Sequence, residues 1–122
     1  MLVGPPMTGK STVLETLKLA FNILSKTDKG PEAYFQLVNC IKMNPKSITM
    51  GELYGESDPN TGDFKNGLAS AVFSKFAEDV TNTKKWIVFD GPVDSLWIEN
   101  LNSVLDDSMT LCLSNGKRIK LK

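Results

Sequence analysis

The sequence predicts an α/β fold, a parallel sheet flanked by helices, and three observations predict it. The first is Gly4-Pro5-Pro6-Met7-Thr8-Gly9-Lys10-Ser11, which fits the phosphate-loop pattern G-x-x-x-x-G-K-[ST] at every fixed position. The second is a pair of strand-like runs, Leu37-Val38-Asn39-Cys40-Ile41 and Trp86-Ile87-Val88-Phe89. The latter is continuously apolar, as in a parallel strand covered on both faces. The third is helical periodicity between and around these runs. Strands separated by helices imply βαβ units. Leu2-Val3, Leu37 to Ile41 and Trp86 to Phe89 are therefore expected as parallel neighbours in one sheet.

The loop at the start has a chemical reason for each fixed residue. Gly4 and Gly9 allow backbone conformations that a Cβ would block, so successive N–H groups can point into one concavity. Pro5 and Pro6 stiffen the entry and have no N–H, which leaves Met7 to Thr12 as donors. A helix beginning near Lys10 adds the positive end of its dipole. Lys10 supplies a charge for the β- and γ-phosphates, and the Ser11 hydroxyl is a Mg²⁺ ligand. A Gly/Pro turn before an ordinary helix would carry the same letters, so a strand before and a helix after must confirm the motif. Only Met1, Leu2 and Val3 precede Gly4. After it, Val13, Leu14, Leu17, Phe21 and Leu24 recur at three- and four-residue steps, the stripe of a helix with a buried face.

Ser25 to Pro31 reads as a polar loop. The first apolar strand follows and ends at Asn44-Pro45, because Pro breaks the ladder and restricts the residue before it. Ser47 to Leu53 reads as short helical turns. Tyr54 to Phe64 is turn-rich and reads as an excursion, a small hairpin inserted before the next helix. That helix is expected over roughly Asn66 to Val80, with Leu68, Val72, Phe76 and Val80 on one face. Asn82 to Lys85 is a polar loop before Trp86. Beyond Asp90, Pro92 is placed to start a helix as an N1 proline. Its apolar face would hold Val93, Leu96, Trp97, Leu101, Val104 and Leu105, and Asp106-Asp107 closes it. Thr110 to Leu113 and Lys117 to Leu121 flank Asn115-Gly116, the signal of a hairpin with a type I′ turn.

Composition sets outer bounds. At 122 residues the chain is expected to be one domain. No apolar run approaches the ~18 residues of a membrane helix, and no signal-peptide core precedes the loop. The formal net charge is zero, so no bulk field draws nucleic acid or an anionic membrane, and neither is expected as a partner. There is no His, which removes His general bases, Ser-His triads and most zinc sites. Arg118 is the only Arg. Cys40 and Cys112 read as buried free thiols of a reducing compartment.

A phosphate loop needs a second carboxylate that holds Mg²⁺ through water, usually an Asp at the C-terminal tip of a neighbouring apolar strand. Asp90 after Trp86 to Phe89 has that form, 80 residues beyond Lys10. By itself it reads rather as a buried strand ending at a polar turn, and the phosphate loop before it reverses that reading. ATPases of the AAA+ type usually place a Glu next, to hold the attacking water. Here that position is Gly91. Asp94 reads as a first-turn carboxylate facing a helix dipole, and Glu99 as a solvated helix charge. The residues therefore indicate Mg-nucleotide binding with crippled hydrolysis.

Asn44-Pro45-Lys46-Ser47-Ile48-Thr49-Met50-Gly51-Glu52-Leu53-Tyr54-Gly55 and the run from Trp86 to Asp107 resemble dynein heavy chains, specifically the second AAA+ module of the motor ring. The resemblance extends from Gly4 to about Leu121. Asp90-Gly91-Pro92-Val93-Asp94 is its most specific part. It implies the parallel sheet of an AAA+ P-loop NTPase, with residues 1–122 forming a partial nucleotide-binding domain. Residues 54–64 would be the insert in helix 2, and residues 110–121 the hairpin before the sensor-1 strand. That strand, the small subdomain and the arginine finger would lie outside the sequence. The resemblance also implies a site holding ATP or ADP with Mg²⁺ and little turnover. Gly4, Pro5, Pro6, Met7, Thr8, Gly9, Lys10, Ser11 and Thr12 would hold the phosphates, with Ser11 and Asp90 at the metal. Neighbouring AAA+ modules, intermediate and light chains and microtubules are the implied partners. Cytoplasm and cytoskeleton are the implied location, and the loop and the Asn44 to Gly55 block look more like axonemal than cytoplasmic dyneins.

Two other classes compete. An active AAA+ or P-loop ATPase would use Asp94 or Glu99 as base. A small-molecule kinase would need more than Arg118 for a lid or phosphate clamp. A GTPase is disfavoured because no Asn-Lys-x-Asp motif occurs.

Overall fold

The fold was analysed in a computed structural model that describes residues 1–28 and 33–121. Lys29, Gly30 and Pro31 of the expected polar loop lie outside these residues. The chain divides into two compact units, Met1–Cys40 with Thr81–Trp86, and Ile41–Val80 with Ile87–Lys122.

Two strands contribute to both units: β1 (Val38–Met43) and β4 (Lys84–Phe89). They are hydrogen-bonded neighbours. In the first unit the Lys84 N–H donates to the Leu37 carbonyl at 2.9 Å, and in the second the Asp90 N–H donates to the Met43 carbonyl at 2.8 Å. Both strands advance together between these bonds, so the pair is parallel. The two expected apolar runs are thus the parallel neighbours, each a little longer than its apolar letters.

The first unit also holds α1 (Lys10–Leu24). It starts where the phosphate-loop pattern requires. Phe21, on its last turn, meets Phe35 and Trp86 edge-on at 5.3 and 5.5 Å between ring centroids. The Lys84 ammonium lies 4.8 Å from the centre of the Tyr34 ring. The Asn22 side chain accepts from the Val38 N–H at 2.8 Å and ties the helix to the start of β1. Two expectations fail here. Leu2 and Val3 form no strand and are exposed. Three residues before two N–H-less prolines cannot build a ladder without a partner, and none pairs with them among the described residues. The apolar stripe of α1 is not buried either: no residue of the helix is. Val13, Leu17 and Leu24 are exposed, while Phe21 packs in an aromatic cluster with Phe35 and Trp86.

The second unit carries the core. Here α2 (Met50–Tyr54) opens with a capping box: the Glu52 N–H donates to the Thr49 hydroxyl, and the Glu52 carboxylate accepts from the Thr49 N–H at 2.8 Å. Satisfying two orphan donors in this way allows five residues to form a helix. The strands β2 (Gly55–Ser57) and β3 (Phe64–Asn66) form an antiparallel hairpin over the predicted excursion. Because β3 takes Phe64 to Asn66, the next helix, α3 (Leu68–Glu78), starts later than expected. Its buried face is Ala69, Val72, Phe73 and Phe76, positions i, i+3, i+4 and i+7. Leu68 and Val80, assigned to that face, are exposed.

Pro92 does not start the next helix. The Asp94 side chain accepts from the N–H groups of Leu96 and Trp97 and is the N-cap of α4 (Ser95–Ile98). An Asp oxygen that satisfies two first-turn donors is a stronger start signal than a proline two residues earlier. A 3₁₀ turn, Glu99–Leu101, and α5 (Asn102–Leu105) follow. The interrupted helix buries Trp97 and Leu101 and leaves Val93, Leu96 and Leu105 exposed. Trp97 stacks on Phe89 at 5.3 Å, and the buried Tyr54 hydroxyl donates to the Trp97 carbonyl at 2.6 Å. The last hairpin pairs β5 (Thr110–Cys112) with β6 (Arg118–Lys120). Its turn is not type I′. Only Gly116 has positive φ, 82°, and the Gly116 N–H donates to the Leu113 carbonyl. That is a three-residue loop with the left-handed residue last. Leu111 and Ile119 point into the core, while Arg118 is exposed as expected. Cys40 is half-buried and Cys112 exposed, both free, so neither is the buried thiol expected.

Candidate nucleotide site

The phosphate-loop residues belong to the first unit. Gly9 is the N-cap of α1 with φ 81° and ψ 14°. Met7 also has positive φ, 67°. A left-handed conformation costs a non-glycine residue about 1–2 kcal/mol, and such strain gathers at ligand-holding loops. Left-handed residues at positions 7 and 9 are of the kind from which anion nests are built. No side chain caps α1 and no acidic residue lies in its first turn. The first-turn donors are left for another acceptor, and the 15-residue helix brings its dipole to the same end. These features fit a phosphate group.

Lys10 is held by its own loop. Its ammonium donates to the carbonyls of Gly4 at 2.8 Å and Pro5 at 2.7 Å. The Thr8 hydroxyl donates to the Pro5 carbonyl at 2.7 Å. The carbonyl oxygens of Gly4 and Pro5 fix the Lys10 side chain across the loop. Ser11 and Thr12 are exposed on the first turn of α1.

Asp90, Gly91, Asp94 and Glu99 belong to the second unit. Asp90 follows β4 directly and pairs with Lys42 of β1 at 2.7 Å, both side chains about half exposed. A strand-tip carboxylate with solvent access is chemically suited to hold Mg²⁺ through water. A side chain at Gly91 would force its neighbours to move: a Cβ would lie 2.7 Å from Asn44 Oδ1 and 3.3 Å from Pro45 Cδ. Asn44 Oδ1 is itself engaged, accepting from the Lys46 N–H at 3.0 Å. Asp94 is also committed. Besides capping α4, it is ion-paired and hydrogen-bonded to the Lys46 ammonium. The Lys46 hydrogen bond holds its carboxyl below the usual Asp range, helped by the Trp97 and Leu96 N–H groups and opposed by partial burial. Glu99 is exposed on the 3₁₀ turn. Sequence reasoning missed Lys42, Asn44 and Lys46 as neighbours of this tip. The signal was present, because two adjacent parallel strands bring the residues after their C-terminal ends together.

The AAA domain family of the dynein-related subfamily matches residues 1–122. The chain belongs to this family. Dynein axonemal heavy chain 6 of Homo sapiens is 49% identical over 122 residues, 99% of this chain and 3% of its own length. Dynein axonemal heavy chain 1 of Homo sapiens is 47% identical over 121 residues, and dynein axonemal heavy chain 12 of Homo sapiens 42% over 121 residues. These matches cover 99% of this chain, but only 3% and 4% of those relatives. Membership implies nucleotide and Mg²⁺ use, and this AAA domain has the α/β fold with the parallel strand pair that membership requires.

Proposed function

We propose that this AAA domain holds Mg-ATP or Mg-ADP as a structural or regulatory ligand and hydrolyses it slowly. Gly4 to Thr12 would take the phosphates, with Lys10 as the charged contact. Ser11 and Asp90 would serve the metal, the latter through water. The supporting observation is the tip of β4: Asp90 is a half-exposed carboxylate at the end of the strand, while Gly91 carries no side chain that could hold a water, and a Cβ there would crowd Asn44. In phosphoryl transfer, positioning and electrostatics supply almost all of the catalysis. A missing water-positioning group costs ~10²–10⁴-fold, as general bases typically contribute. Asp94 is a poor substitute because its oxygens serve a helix cap and Lys46. Glu99 lies exposed on the 3₁₀ turn, away from any cap or ion pair that would fix its carboxylate among the described residues.

In its widest form the reading places this chain in the second AAA+ module of an axonemal-type dynein heavy chain. Neighbouring modules would be its direct partners; microtubules, intermediate and light chains, and the axoneme would belong to the whole motor. Single-turnover measurements at this site provide the test. Nucleotide retained unhydrolysed supports the reading. Rapid turnover abolished by Asp94→Ala or Glu99→Ala, with nucleotide still bound, would instead make it an active ATPase.

A further inference from the structure

The ion pair on Asp90 has a consequence for the metal. Lys42 occupies the penultimate position of β1, and its ammonium lies 2.7 Å from Asp90 Oδ2. A second pair, Lys46 with Asp94, repeats the arrangement on the segments just beyond the strands. We propose that Lys42 is a resident counter-cation of Asp90 and that it sets how much Mg²⁺ the site needs. The inference rests on the assignment of Asp90 to the metal.

A carboxylate neutralised by an ammonium is a weaker partner for a hydrated divalent ion. Two routes remain open when Mg²⁺-nucleotide arrives. Lys42 can leave Oδ2, which breaks a charge-assisted hydrogen bond. It can also stay on Oδ2 while Oδ1 faces the metal's water, which places a cation beside a dication. Both routes lower metal affinity. Because both side chains are about half exposed, solvent screens the pair and the effect is modest. A pair of this kind supports about a two- to fivefold change in a binding constant. Lys46 is the matched control, since its carboxylate caps a helix and is not assigned to the metal.

The experiment titrates Mg²⁺ into the full chain with a fluorescent ATP analogue. The signal lost in Lys10→Ala defines this site's share. Lys42→Met is expected to lower the Mg²⁺ concentration at half-saturation about two- to fivefold, with Lys42→Arg and Lys46→Met unchanged. Metal binding followed directly by Mn²⁺ paramagnetic resonance should shift by the same factor. An unchanged or raised midpoint in Lys42→Met overturns the inference while the site reading stands. An equal shift in Lys46→Met also overturns it, by making the effect one of general surface charge. Loss of no signal in either Lys10→Ala or Asp90→Asn overturns the site reading, and the inference with it.

Discussion

Gly91→Ala should loosen the tip of β4, and Asn44 should be the reason. The new Cβ would sit 2.7 Å from Asn44 Oδ1, about 0.7 Å inside the 3.4 Å onset of ordinary contact. Pro45 Cδ, at 3.3 Å, belongs to a buried ring and yields little. The Asn44 amide must therefore turn away, and its 3.0 Å bond from the Lys46 N–H is lost. A lost hydrogen bond costs roughly 0.5–1.5 kcal/mol, and overpacking adds about 1–3 kcal/mol. A local destabilisation of about 2 kcal/mol follows. Hydrogen exchange of peptides spanning residues 42–48 and 90–96 would read it as faster opening. Asn44→Ala removes the obstructing amide, so the two changes should couple, with the double variant losing much less than the sum. The same geometry means that Gly91→Glu alone should not restore turnover. Any gain should appear only together with Asn44→Ala. Unchanged protection in Gly91→Ala, or strict additivity with Asn44→Ala, would refute the packing argument.

Tyr54→Phe removes the buried 2.6 Å hydrogen bond to the Trp97 carbonyl and should cost about 1–2 kcal/mol in denaturant unfolding. Burial pushes the Tyr54 hydroxyl up to about 12. Its stabilisation is thus complete below pH ~10, where the unfolded phenol ionises, and is lost as pH rises toward 12. The variant should lack that alkaline loss. Lys46→Met should move the Asp94 carboxyl back up toward its ordinary range, observable by carbon NMR titration. Because that carboxyl is depressed in the folded protein, its contribution is present above the ordinary Asp range and fades as pH falls below it. The Lys46 variant should therefore show a smaller acid loss of α4 protection.

The fold was readable where one local signal dominated. The phosphate loop predicts the start of α1 at Lys10. Trp86 to Phe89 is a strand as its apolar run predicts, although its residues are half-buried rather than fully covered. Reading failed where apolar letters had no partner to settle them. Val13 and Leu17 spell a buried face, yet burial depends on what covers the helix. Leu68 fits the stripe of α3 equally well, but β3 and the entry at Gly67 rotate the buried face to Ala69 and Phe73. At the site, the identities of Asp90 and Gly91 were legible. That Lys42 neutralises the first and Asn44 covers the second required the parallel alignment of β1 and β4.

Following one bound nucleotide at this site separates retention from turnover. The full chain would be loaded with γ-labelled ATP and Mg²⁺, and the label would be followed against Lys10→Ala, which should lose about 2–3 kcal/mol of affinity with its charge-assisted phosphate contact. The label is expected to stay on the bound nucleotide with only slow loss, and to be absent in Lys10→Ala. Rapid release of labelled phosphate from this site, or equal retention in Lys10→Ala, would contradict it.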